Sequence, residues 1–214
     1  MYDRDARQNR QLWQNAENND EVTVVGLHPS RRNVVLAGSD DGLVSLFDTN
    51  ITEEEDSLMQ VINHGPIHKA GFLGENRIYA LSSDQNFAVH PVSTPGDEED
   101  PGPTLFGDLR PLIPCQYVVD VFRSGQDYVI ATGTNIGYAQ RAGAPNFADS
   151  NHRDSHLDLV KLAHATDANA TPNLDQTSKV NIEPAHGEEI VRALFVDDEV
   201  RPYPPSRPEP YLFN

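Results

Sequence analysis

A chain of 214 residues with 33 Asp and Glu against 16 Lys and Arg carries a formal net charge of −17, so most of its surface would repel a phosphate backbone or an anionic membrane. A hydrophobic share of 37% with 16 Pro and 14 Gly suits a turn-rich β protein with loop insertions better than a helical bundle. Cys115 is the single cysteine, which excludes an intrachain disulfide. No apolar run approaches membrane-spanning length, and the expected setting is intracellular, cytoplasm or nucleus.

In chain order, MYDRDARQNRQLWQN has no apolar core of the signal-peptide kind. Tyr2-Asp3 reads as the end of a strand, Gln11-Leu12-Trp13 as a short apolar run, and Asn15 to Asp20 as a polar loop. Glu21 to Thr49 is the clearest stretch: three apolar runs (Val22–Leu27, Val34–Ala37, Leu43–Phe47) separated by two turns, hence an antiparallel meander. The tighter turn is Ser39-Asp40-Asp41-Gly42, where an Asp-Gly pair between β-branched runs predicts positive φ at both central residues. A charged loop, Glu53-Glu54-Glu55-Asp56, precedes a fourth strand at Leu58–Ile62.

The pattern then restarts. Ile67–Leu73, Arg77–Leu81 and Phe87–Val92 are strands separated by turns at Gly74-Glu75-Asn76 and Ser83-Asp84-Gln85-Asn86. After the acidic, Pro-rich insertion of Ser93 to Pro103, Thr104-Leu105-Phe106 opens a fourth strand. The offset of roughly 40 to 45 residues is the period of a four-stranded propeller blade. A third pass has strands at Gln116–Phe122, Asp127–Thr132 and His156–Leu162, a long loop from Gly133 to Ser155, a polar loop from Asp167 to Gln176, and a short strand at Lys179–Ile182. Ile190–Val196 starts a fourth unit, and from Arg201 onward five prolines in the closing RPYPPSRPEPYLFN exclude interior strands.

GSDDGLVSLFD (Gly38 to Asp48), HGPIHKAGFL (His64 to Leu73) and AHGEEIVRALFV (Ala185 to Val196) resemble segments of the WD-repeat β-propeller family. Phe47-Asp48, and Tyr2-Asp3 before it, stand where that family usually has Trp-Asp. The combination is similar to a fungal-type branch of the family and covers most of Tyr2 to Glu199. The resemblance implies an all-β fold: a partial WD-repeat propeller of three four-stranded blades (21–63, 66–114 and 116–184), partial ends at 1–20 and 185–199, and long polar loop insertions. Residues 200–214 form a Pro-rich tail expected to be disordered. The chain reads as a C-terminal piece of a larger protein. Otherwise its open blade faces need covering by the missing blades or by self-association through open edges.

Many repeats of the family join a turn Asp, a junction His, a strand Ser or Thr and a strand Trp by buried hydrogen bonds. Carried onto this chain, the turn and junction residues are Asp40, Asp41, Gly42, His64, Asp84 and His186. The other positions fall on Ala37 and Phe47 in the first blade and on Ala80 and His90 in the second, so the network is mostly missing. These blades are expected to rely on apolar packing and on their turns.

Nothing in the sequence assembles a catalytic centre. His152-Arg153-Asp154 lacks the remaining parts of a kinase loop. His152 and His156 with Asp154 and Asp158 share a face only on a helix, and the stretch reads as solvated loop passing into strand. Gly133-Thr134-Asn135-Ile136-Gly137 has no following helix to offer a phosphate. Cys115 has no identifiable His partner. The expected function is therefore a non-enzymatic protein–protein interaction scaffold without catalytic residues, cofactor or metal, and without nucleic-acid or membrane partners. The alternative is an acidic propeller that binds basic clients such as histones in chaperone fashion, through the acidic runs Glu53–Asp56, Asp97–Asp100 and Asp197–Glu199. A hydrolase on the same scaffold would need convergent carboxylates or a metal. PYPPSR (Pro202 to Arg207) fits the spacing of a polyproline II ligand.

Overall fold

The structure is a computed structural model describing residues 20–93, 102–134, 156–167, 170–182 and 190–194. Its first sheet contains β1 (Val22–Leu27), β2 (Val34–Ser39), β3 (Leu43–Asp48) and β4 (Leu58–Asn63), with a one-turn helix α1 (Glu54–Ser57) leading into β4. The second contains β5 (Ile67–Leu73), β6 (Arg77–Ser82), β7 (Asn86–Pro91) and β8 (Thr104–Asp108). After α2 (Leu109–Leu112), the third contains β9 (Tyr117–Ser124), β10 (Asp127–Thr134), β11 (His156–Ala163) and β12 (Asn173–Ile182). Every sheet is an antiparallel meander in chain order.

The two central strands of the first two sheets are the most buried, because both of their faces are covered. β6 (RIYALS) is buried along its whole length and β2 and β3 nearly so. One apolar cluster joins Leu36, Val44 and Leu46 of the first sheet to Ile67, Ala70 and Ile78 of the second. A second joins Leu73, Leu81 and Phe87 to Val118, Ile130 and Leu162 of the third. Burial of a fully covered Leu, Ile or Phe contributes about 1.5–3 kcal/mol, so these seams dominate the stability.

Polar contacts fix the register of each seam. Thr23 Oγ1 donates to the Ile67 carbonyl (2.7 Å) across the first. Across the second, the Arg77 guanidinium donates to the carbonyls of His164 and Ala170 (2.7 Å each), and Gly74 N–H donates to the Tyr128 hydroxyl (2.9 Å). With Arg77 only 8% exposed, these carbonyls satisfy donors that burial would otherwise leave costly.

Four expectations change. At the Ser39–Gly42 turn only Gly42 adopts a positive φ (+96°). Ser39 O accepts the Gly42 N–H at 3.2 Å, so the loop is a three-residue turn ending in a left-handed residue, and Asp41 needs no positive φ. The charged run Glu53–Asp56 leads into and forms much of helix α1 rather than a loop. β12 begins at Asn173, inside the stretch read as polar loop. Lys161 pairs with Asp175 and Leu159 with Val180, so residues 176–179 bulge out of the ladder. The Asp175 carboxylate holds that bulge by accepting from Thr177 N–H and Ser178 Oγ (2.9 Å each). Finally, residues 190–194 form no strand. They lie against the third sheet through Val191, which packs with Val119, Ala131 and Leu157 and donates its N–H to the Tyr117 hydroxyl at 2.9 Å. The N-terminal run, residues 94–101 of the insertion, most of the 133–155 loop and the Pro-rich tail lie outside the described residues.

Gly38 shows how tightly the first seam closes. A Cβ there would stand 2.6 Å from Val24 Cγ1 and 2.8 Å from Ile67 Cγ2, whereas one at Gly26 would meet only ordinary contacts at 3.8 Å and beyond. Gly38→Ala is expected to lower unfolding free energy by about 1–3 kcal/mol through overpacking, with Gly26→Ala close to neutral, as measured by urea denaturation.

Candidate interaction surface

Antiparallel meanders place alternate connections at the same end of each sheet. The β2–β3 and β6–β7 turns and the junctions after β4 and β8 therefore share one rim, and a run of hydrogen bonds ties them together. His64 N–H donates to the Gly42 carbonyl (2.9 Å), and a Cβ on Gly42 would lie 3.1 Å from the Gly65 backbone. Ser83 N–H donates to the Pro66 carbonyl (2.8 Å), and His64 Nε2 donates to the Asn86 carbonyl (3.0 Å). Gln85 continues the run: its carbonyl accepts from Leu109 N–H (3.1 Å) and its side-chain Oε1 from Val118 N–H (2.7 Å), at the start of the third sheet.

The rim brings together Asp40, Asp41, Gly42, His64 and Asp84; His186 lies outside the described residues. The members do different work. Asp41 turns inward locally, its carboxylate accepting from Leu43 N–H at 3.0 Å. Asp40 and Asp84 are exposed, and the carbonyl of Asp84 accepts from Arg110 Nη2 at 3.3 Å. Arg110 is itself paired with Asp108 at 2.8 Å, whose carboxyl is held below the ordinary range by that guanidinium. The sequence reading missed Ser39, Ser82 and Gln85. Ser39 and Ser82 are buried, and their hydroxyls accept from Asp41 N–H (3.4 Å) and Asn86 N–H (3.2 Å). Both stand one residue before their turns, the position at which a hydroxyl mimics a turn. Gln85 gave no signal, because polar side chains at turn ends are unremarkable until the neighbouring sheet is in place.

The chemistry elsewhere is structural. Cys115 is buried and its thiol is pushed up to about 12, mainly by desolvation, so it stays protonated and a poor nucleophile. Asp158, within the predicted strand His156–Leu162, is 1% exposed on β11. It binds Lys179 Nζ (3.0 Å) and Asn181 Nδ2 (2.7 Å), with His156 Nε2 at 3.7 Å, and so clips the edge strand β12 to its neighbour. Among the described residues no group of three His, Cys, Asp or Glu is placed to hold a metal, and no helix is long and apolar enough to cross a membrane.

No family model matches the chain. Over 178 residues, 83% of its length, it is 34% identical to a WD repeat-containing protein of Saccharomyces cerevisiae. Over 117 residues, half of its length, it is 39% identical to one of Schizosaccharomyces pombe. The chain is a relative of the WD-repeat proteins. A third similarity, 31% over 78 residues, is to the WD repeat-containing protein 89 homolog of Dictyostelium discoideum. The matches span 39%, 35% and 22% of those proteins, so the chain covers about two fifths or less of each. Its three four-stranded sheets are WD-type blades, part of a propeller.

In this WD-repeat relative the junction histidine His64 reaches a backbone carbonyl of the neighbouring turn. His64 spends its donor on the Asn86 backbone and lies edge-on to His90, with ring centroids 6.1 Å apart. At the other end of the same seam, His28 is buried edge-on to Phe72 (4.9 Å). Its Nδ1 accepts the N–H groups of Ser30 and Arg31, and its Nε2 donates to the Glu75 carbonyl. Burial holds both His28 and His90 below the ordinary histidine value, reinforced by Arg31 and His64 respectively.

Two predictions follow from these placements. The rings of His28 and His90 resist protonation in the folded chain, so the unfolded chain takes up protons first as pH falls. Their contribution is fully present above 6.5 and is lost as pH drops below it through the depressed folded values. Urea midpoints should fall across that window, and less so in His90→Phe. Gln85 sits at φ +67°, a conformation that costs a side-chain-bearing residue about 1–2 kcal/mol. Gln85→Ala keeps that strain and loses the Val118 bond, whereas Gln85→Gly loses only the bond. The stability order wild type, Gly, Ala is expected in calorimetry.

Proposed function

We propose that the chain is a protein–protein interaction scaffold whose binding surface is the rim of β2–β3 and β6–β7 turns and blade junctions. The observation that carries this reading is the division of labour on the rim. Backbone groups and the side chains of Ser39, Asp41, Ser82 and Gln85 are spent on holding the turns, while Asp40 and Asp84 stand exposed on a frame already fixed. A partner meeting such a surface finds it already ordered, so the entropy of fixing those loops does not oppose binding. The resemblance to WD repeat-containing proteins supports the same reading in general terms.

A basic client, histones included, is favoured over a neutral one by the net charge of −17 and by the two exposed carboxylates sharing one rim. Attraction of that kind raises the association rate and fades with salt. Binding of core histones to the purified chain, followed by biolayer interferometry, should weaken steeply with added salt and fall in Asp40→Asn/Asp84→Asn. Binding that ignores both salt and the double substitution would remove the rim from the interface, and capture of a neutral partner through the rim would leave the scaffold and overturn the basic client.

A further inference from the structure

The connection from β3 to β4 lies at the end of the first sheet opposite the rim and carries the run Ile51-Thr52-Glu53-Glu54-Glu55-Asp56. Among the described Ser and Thr residues only Thr52 is followed directly by three acidic residues, with Asp56 as a fourth. Ile51, Thr52, Glu53, Glu55 and Asp56 are all exposed. The Thr52 hydroxyl bonds no described residue, whereas its neighbour Thr49 donates its own to the Asn33 carbonyl at 3.0 Å.

Rival hydroxyls are buried, tied or poorly flanked. Ser39, before Asp40 and Asp41, is buried, and its hydroxyl accepts from Asp41 N–H. Ser45, three residues before Asp48, is 3% exposed inside β3. Ser124, three residues before Asp127, pairs with that same residue at the end of the β9–β10 ladder, and the Asp127 carboxylate is taken by Lys161 at 2.9 Å. Ser83 and Thr166 each precede a single acid, with none at the two positions beyond it.

The run is also one that opens at low cost. It spans two anchors: Thr49, whose N–H donates to the Asn33 carbonyl at 2.8 Å, and Ser57, which is fully buried. Between them α1 is a single turn in which Ser57 N–H donates to the Glu53 carbonyl at 3.0 Å. Glu53 caps that turn without a side-chain hydrogen bond, and no basic residue stands in its last turn. A first turn fixes several residues for little hydrogen bonding, and adjacent carboxylates crowd like charges onto it. Glu53 is already extended (φ −74°, ψ 123°), so unwinding α1 presents 52–56 as extended chain while β3 and β4 stay paired.

We propose that Thr52 is a phosphorylation site for an acidophilic Ser/Thr kinase, an enzyme whose basic substrate groove reads acids on the C-terminal side of the acceptor hydroxyl. In the transfer Thr52 Oγ1 attacks the γ-phosphorus of the kinase's ATP. The bond from that phosphorus to the ADP oxygen breaks, ADP leaves, and the hydroxyl proton passes to the kinase's catalytic aspartate. The acids from Glu53 to Asp56 supply the charge complementarity that distinguishes this hydroxyl from the others. The product carries about −1.5 to −2 of added charge beside Glu53. The site is separate from the rim and does not rest on the scaffold reading.

The test is incubation of the full chain with ATP and casein kinase 2 as the acidophilic probe, read by intact mass and by fragment-ion mapping. A phosphate on Thr52 is expected. Thr52→Ser should keep it, Thr52→Ala should abolish it, and Glu53→Gln/Glu55→Gln should slow its incorporation by about tenfold or more. Circular dichroism melts check that these substitutions at exposed positions keep the fold. Incorporation that bypasses Thr52, or that reaches Thr52 at the same rate without the two glutamates, overturns the site. Phosphorylation of a peptide spanning residues 47–60 but not of the folded chain overturns it too, since the fold then conceals the run.

Discussion

Ile67 packs into the space left by the missing side chain of Gly38, and the seam between the first two sheets closes around that contact. A four-stranded sheet buries an apolar face only against another layer, so each sheet here depends on its neighbour. The rim and the buried histidines are both positioned by that requirement. The same logic recurs at the second seam, where the Tyr79 hydroxyl reaches the Val121 carbonyl at 3.3 Å, and beyond the third sheet, where Tyr117 receives Val191. In both cases a tyrosine ring crowds the position opposite a glycine, Gly71 or Gly133, and its hydroxyl reaches the next layer.

Seen through its polar groups, the chain divides its inventory sharply. Buried polar atoms are spent on architecture: Arg77 on the carbonyls of a neighbouring loop, Asp158 on an edge strand, and the rim amides on adjoining turns. Most cations among the described residues are consumed in this way, which leaves the exposed acids to give the surface its sign. Arg31 follows the same pattern, its guanidinium lying against the ring of buried His28.

Much of the fold was legible because blade strands are short, apolar and separated by turn residues whose preferences are local. The meander at Glu21–Thr49 and its restart at Ile67 follow from spacing alone. The misreadings have one cause. All four residues of the β12 bulge, 176–179, are hydrogen-bonding groups whose partners (Asp175, Leu112, Asp158) come from β12 itself, from α2 and from β11, so the polar string 173–178 carried no strand signal. Asp158 was placed in a strand, but its burial was not legible, since a carboxylate is buried only where Lys179 and Asn181 arrive to meet it. The turn at Asp40–Gly42 was placed correctly but given the wrong geometry, because loop length is set by the ladder between Gly38 and Val44 and not by the Asp-Gly pair.

The sequence by itself determined the architecture: β-branched runs at blade spacing, glycine where left-handed or close-packed backbone is needed, and a charge that disfavours polyanions. Residue type and period suffice for these, because they are properties of short segments. Only the tertiary structure decided which polar groups are spent and which remain. Whether Gln85 bridges two sheets, Asp84 stays exposed or Arg77 finds the carbonyls of another sheet's loop depends on what the neighbouring sheet brings within about 3 Å, the reach of a hydrogen bond. That distance is set by packing across more than thirty residues of chain, as between Gln85 and Val118, and no local pattern encodes it.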